Sequence, residues 1–158
     1  MSTAEQNPRD AAITDTTDAG QTGAVRFACH LAHPPQKVWR ALTEPALLAQ
    51  WLLPAIGFAP TPATAFKLQT QPYPGWDGTV DCRVLEAQPH ERLSYTWNVG
   101  SMELETVVTF TLTPTAGGTT LELVQSGFKP AQKQNWGGAS YGWKMMFGRL
   151  VAQLATEG

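Results

Sequence analysis

The sequence is short of charge: 15% of its 158 residues are Asp, Glu, Lys or Arg, against ~25% in an ordinary globular chain. Eleven basic residues face thirteen acidic ones, a formal charge of −2. Without a basic surplus there is nothing to hold a phosphate backbone or an anionic bilayer, so neither nucleic acid nor a membrane is an expected partner. Long apolar runs are missing too: no stretch approaches the ~20 residues of a membrane span. The opening MSTAEQNPRDAAITDTTD has neither the basic start nor the apolar core of a secretory signal, which makes the cytoplasm the expected location. Cysteine is scarce. Cys29 and Cys82 lie far apart, each inside an apolar alternating run, and read as two reduced core thiols rather than a bridge. The only histidines are His30, His33 and His90, with no His-x-x-x-His spacing and no cysteine pair at ligand spacing. No metal and no cofactor are therefore expected. A Gly-x-Ser-x-Gly elbow, a phosphate-binding loop and a dinucleotide glycine pattern are absent as well, so no activated nucleophile can be named.

What the chain has is apolar and aromatic mass: 42% hydrophobic residues, with six Trp, six Phe and three Tyr. That suits one folded domain of the usual ~100–150 residues. Residues 1–23 contain no Leu, Val, Phe, Trp or Tyr and read as a disordered tail, leaving 24–158 as the domain. Val25, Phe27, Cys29 and Leu31 alternate as a half-buried strand. Pro34-Pro35 and then Glu44-Pro45 each suit a helix start, giving two short helices with stripes through Val38, Trp39 and Leu42 and through Leu47, Leu48 and Trp51. Pro54 to Pro62 reads as a connection and Ala63 to Thr70 as a strand carrying Phe66 and Leu68. Four proline-free alternating runs follow, carrying Val80, Cys82 and Val84; Leu93, Tyr95 and Trp97; Val108, Phe110 and Leu112; and Leu121 and Leu123. The turns QPYPG, QPHE, NVGS and PTAGG precede or separate them as in an antiparallel meander. From about Asn135, Trp143, Phe147, Leu150 and Leu154 mark one face of a long helix whose first turns are expected to be irregular because of Gly137, Gly138 and Gly142. The fold class is therefore α+β, a helix-grip: a curved antiparallel six-stranded sheet wrapped around the C-terminal helix, with two short helices after the first strand.

The ordered set VWRALTEPALLAQWLLP, GTVDCRVLEAQPHERLSYTW, VVTFTLTPTAGGTTLELVQSGF and GWKMMFGRL resembles the START-like SRPBCC superfamily. Its branch is the one similar to the C-terminal domain of the heat-shock protein 90 ATPase activator, and the resemblance runs from about Val25 to Leu154. It implies a cavity for a hydrophobic ligand, and it implies that Trp51 lines the cavity mouth. Fold does not settle function.

Bottom-up, Trp76, Tyr95, Trp97, Phe110 and Trp143 are expected to project into the space between sheet and helix, where flat rings supply contact area and Tyr or Trp a polar handle. Phe66 and Cys82 on the strands, and Met146 and Phe147 on the last helix, complete the expected lining, Met146 as an adaptable filler. The function expected first is binding of a small hydrophobic or aromatic molecule, lipid, polyketide or antibiotic-like, by a non-catalytic or weakly catalytic carrier that is a monomer or homodimer. Two alternatives stand behind it. One is a co-chaperone acting on a heat-shock protein 90 ATPase, from which the chain departs in having only a short tail before its first strand. The other is a cyclase-like enzyme acting on a polyketide or aromatic substrate through Tyr95 or His90. The carboxylates Glu103, Glu105, Asp77 and Asp81 read as solvated charges.

Overall fold

A computed structural model describes residues 13–15, 24–72 and 74–156. Strand β1 (Ile13–Asp15) and strand β2 (Ala24–Leu31) lead into helices α1 (Pro35–Thr43) and α2 (Pro45–Trp51). Strands β3 (Ala55–Ile56), β4 (Ala65–Gln69), β5 (Thr79–Gln88), β6 (Arg92–Val99), β7 (Leu104–Thr115) and β8 (Gly118–Ser126) follow, and helix α3 (Lys133–Thr156) ends the described chain. One antiparallel sheet has the order β1-β2-β8-β7-β6-β5-β4-β3, so the first long strand closes against the last. The curved sheet and the C-terminal helix make the helix-grip expected from the pattern.

The strands follow their apolar alternation. On β2 the buried residues are Val25, Phe27, Cys29 and Leu31; on β7 they are Leu104, Thr106, Val108, Phe110 and Leu112. On β5 the alternation slips by one: Val84 pairs with Tyr95 but Glu86 with Ser94, which leaves Leu85 as the extra residue of a bulge, 48% exposed. Such a bulge bends its strand and raises the local twist, as a sheet closing on a helix requires.

Each short helix starts on a proline, where the missing N–H costs nothing. Pro45 has a second effect. It holds Glu44 extended (φ −94°, ψ 120°) and denies the Ala41 carbonyl the donor that a continuing helix would bring. The indole Nε1–H of Trp51 donates to that carbonyl instead, at 2.8 Å and fully buried. One side chain thus closes the angle between α1 and α2. Across the molecule, Lys37 donates to the carbonyl of Leu154 at 2.9 Å, capping the end of α3.

The structure differs from the sequence reading at four points. Among the described residues the sheet has eight strands, not six, because β1 and β3 are added at its two edges. Ile13–Asp15, inside the stretch assigned to a disordered tail, pairs with Phe27–Cys29 through a single large apolar residue, Ile13; the rest of that stretch lies outside the described residues. β7 runs on through Pro114, which pairs with Thr119 beside the hairpin. Helix α3 is continuous from Lys133 despite its glycines. Packing on the sheet and in-line hydrogen bonding outweigh the ~1 kcal/mol that each interior glycine costs.

Candidate functional site

The inner faces of β6, β7 and β8 and the underside of α3 are close-packed at one end of the helix and open at the other. At the packed end Trp51, Phe110, Phe147 and Phe27 meet at ring separations of 6.1–6.4 Å. At the open end a cavity of about 850 Å³ lies between the N-terminal half of α3 and the sheet. Trp76, Trp97, Trp143, Met102 and Met146 give it apolar walls, and Gly138 and Gly142 face it from the helix.

Each wall residue is held by local chemistry. Trp76 lies in the β4–β5 connection, its Nε1 donating to the Thr79 carbonyl at 2.9 Å. That connection is braced by Gln69, whose Nε2 donates to the carbonyls of Thr70 and Asp77, and by the Asp77 carboxylate accepting from the Thr79 amide. Met102 ends a single 3₁₀ turn, Gly100–Met102, beyond which Glu103 takes a left-handed φ of 52° and Gln132 donates to its carbonyl. Trp97 and Trp143 face each other from β6 and α3 at 5.3 Å between ring centroids, tilted by 54°. Trp143 also sits edge-on to Phe110 at 5.9 Å, so it divides the packed end from the open one.

Beneath the two indoles runs a buried polar chain. Thr106 Oγ1 donates to the Trp97 carbonyl at 2.7 Å, Gln125 Nε2 donates to Thr106 Oγ1 at 2.9 Å, and Trp143 Nε1 donates to Gln125 Oε1 at 2.7 Å. Gln125 is 1% exposed and lines the cavity floor. Sequence reasoning missed it, although a signal was present: Gln125 continues the inward-facing register of Leu121 and Leu123.

Of the ten residues expected at the site, the structure gathers Trp76, Trp97, Trp143 and Met146 around the cavity. It places the others elsewhere. Trp51 does not stand at a mouth; it is fully buried as the link between α1 and α2. Tyr95, Phe110 and Phe147 fill the packed end, Tyr95 edge-on to Phe66 at 5.1 Å. Phe66 and Cys82 pair across β4 and β5 and border a shallow depression with Lys67, Asp81 and Arg83, away from the indoles. Alternation places the strand residues among these on the inner face but not along the helix axis, and the axis decides which are sealed.

Burial pushes the Cys29 and Cys82 thiols up to about 12, with the Asp81 carboxylate adding to the effect on Cys82. Burial likewise raises the Tyr95 phenol well above its ordinary value. His33 is lowered, first by burial and then by the Lys37 ammonium 3.3 Å from its Nδ1. Tyr95 and His90 are not among the residues lining the cavity, His90 lying edge-on to Trp39 in the β5–β6 turn. Among the described residues no group of three His, Cys, Asp or Glu is placed to hold a metal, and no helix is long and apolar enough to cross a membrane.

Comparison with known proteins places this geometry. A solved protein of Mesorhizobium loti, MLL2253, is 41% identical with a TM-score of 0.80, covering 85% of this chain and 98% of its own. DynU16, a protein of the dynemicin biosynthetic locus, is 27% identical with a TM-score of 0.74, covering 87% of this chain and 49% of its own. CalU16 of Micromonospora echinospora, 22% identical with a TM-score of 0.72 over 92% of this chain and 85% of its own, shares the fold. No curated protein matches in sequence. Residues 32–155 match the family described as Activator of Hsp90 ATPase homolog 1-like protein, a span running from the end of β2 almost to the end of α3. The chain belongs to that family.

Proposed function

We propose that the protein binds a small hydrophobic or aromatic molecule between its sheet and C-terminal helix, as a carrier rather than a catalyst. The observation that carries this reading is the cavity of about 850 Å³ walled by three indoles. Protein interiors are otherwise packed to the density of organic crystals, with few voids larger than a water molecule, and a site for a drug-sized ligand runs to ~300–1,000 Å³. The occurrence of the related DynU16 in a biosynthetic locus fits a role beside small-molecule chemistry. No thiol, carboxylate, imidazole or amine lines the cavity among the described residues, so its one hydroxyl, Thr70, has no base beside it, which favours holding a molecule over transforming it.

Native mass spectrometry of gently purified protein tests this, comparing wild type with Trp97→Ala. A co-purifying small-molecule adduct lost in the variant supports the carrier. A clean apo mass, together with tryptophan emission that does not respond to any added aromatic probe, removes it.

A further inference from the structure

The cavity is lined by more than apolar walls. Among the described residues none of those lining it is Asp, Glu, Lys, Arg or His. An ionised ligand head would find no counter-charge among these residues, and burying a charge without a partner is strongly unfavourable. Polar side chains do line it, and all but the Thr70 hydroxyl are amides: Gln125 at the floor, with Gln71, Gln134 and Asn135 nearer the rim.

Gln125 is oriented without ambiguity. An indole N–H only donates, so the atom facing Trp143 Nε1 at 2.7 Å must be the amide oxygen. The Thr106 hydroxyl gives its hydrogen to the Trp97 carbonyl and is left as an acceptor for the amide nitrogen. A primary amide has two N–H donors and room for two acceptances at its oxygen. Among the described residues one of each is taken, which leaves one donor and one acceptor on a buried, rigidly held group at the cavity floor. Unmet polar capacity in such a place is what a ligand oxygen satisfies.

We propose that the Gln125 amide is the recognition group of this cavity. It selects neutral, flat aromatic molecules bearing a phenol or carbonyl oxygen over hydrocarbons of the same shape and over carboxylates. The flat shape is set by Trp97 and Trp143, the neutrality by the uncharged lining among the described residues, and the oxygen by Gln125. Thr106 is a positioning residue that holds the amide in place. The inference rests on the carrier reading, and the two fail differently in the following experiment.

Pyrene, 1-hydroxypyrene and 1-pyrenecarboxylate are titrated at pH 7 into the full-length protein, with binding followed by pyrene emission excited through the tryptophans. Wild type is expected to bind 1-hydroxypyrene about three- to tenfold more tightly than pyrene, the worth of one net hydrogen bond, and 1-pyrenecarboxylate at least about a hundredfold more weakly than 1-hydroxypyrene. In Gln125→Met, whose thioether leaves the Trp143 indole a weak acceptor, the preference for the hydroxyl closes or inverts while pyrene affinity holds. Thr106→Val keeps the shape of the residue, narrows the same preference, and serves in its place if Gln125→Met does not fold. Equal affinity for pyrene and 1-hydroxypyrene, a preference that persists in both variants, or a carboxylate bound as tightly as the phenol overturns the assignment to Gln125 but leaves the carrier standing. Failure of all three pyrenes to bind wild type overturns both.

Discussion

Replacing Trp51 by Phe tests whether one indole hydrogen bond sets the corner between α1 and α2. Two losses follow from the geometry. The Ala41 carbonyl, which Pro45 deprives of a backbone donor, loses its indole partner and is left unsatisfied inside the core, at about 1–3 kcal/mol. The smaller ring leaves roughly 40 Å³ unfilled, worth about 1 kcal/mol at ~24 cal/mol per Å³. The expected total is about 2–4 kcal/mol, a large share of the 5–15 kcal/mol that stabilises a typical domain. In urea, with a slope of ~1–3 kcal/mol per molar, the unfolding midpoint should fall by about 1–3 M with the slope unchanged. Amide exchange should speed up first in α1 and α2 and not in β7 or β8. A loss below about 1 kcal/mol would refute the reasoning, since it would mean that Ala41 finds another donor and that the packed end closes over the missing atoms. Loss of ligand with full stability would refute it from the other side, by returning Trp51 to the cavity.

Other expectations concern the hairpin, the thiols and the histidine beside α1. A Cβ on Gly118 would stand 1.9 Å from the Leu31 carbonyl oxygen, so Gly118→Ala should cost about 3 kcal/mol or more in urea unfolding. Gly137→Ala, where a Cβ meets nothing within 4 Å on the helix, should instead stabilise by about 0.5–1 kcal/mol. Cys29 and Cys82, with thiols pushed up to about 12 by burial, should not react with a disulfide reagent at pH 8 until urea unfolds the chain, when both react together. Their raised values also mean that the unfolded chain loses protons first, so stability should fall as pH rises past about 9, the ordinary thiol value. His33 has the opposite sign. Its lowered value makes the unfolded chain bind the proton more readily, so stability is full above about 6.5 and declines as pH falls through that value, and less so in His33→Gln.

The fold was legible wherever alternation was long. β2, β5, β6 and β7 each carry three or more inward apolar residues and β8 carries two, and these patterns survive in the structure, interrupted at the bulge around Leu85 and at the buried Ser94. Two strands were beyond reach for a physical reason. β3 is two residues long, and β1 contains one large apolar residue, Ile13, so neither has a period to detect; both are added by an edge already formed. The site was legible only by face. Trp97, Tyr95 and Leu93 share a face of β6, yet Trp97 borders the cavity, Tyr95 is sealed under Phe66 and Leu93 is fully buried. The difference lies in where along its axis α3 crosses the strand, and tertiary packing fixes that. Gln125 was overlooked because the inward face of that run was read from its apolar residues, Leu121 and Leu123, alone.

Gly138 and Gly142, one turn apart on α3, leave part of the cavity wall as bare helix backbone. A side chain at either position would meet almost nothing: no atom lies within 4 Å of a Cβ on Gly138, and only the Met146 methyl, at 3.9 Å, of one on Gly142. Packing therefore does not require glycine there, and alanine at both would strengthen the helix by roughly 2 kcal/mol. The emptiness is held by composition against the preference of the helix itself. These two positions act as a volume control, through which substitutions of increasing size would shrink the chamber stepwise while β6, β7, β8 and the Gln125 chain stay in place.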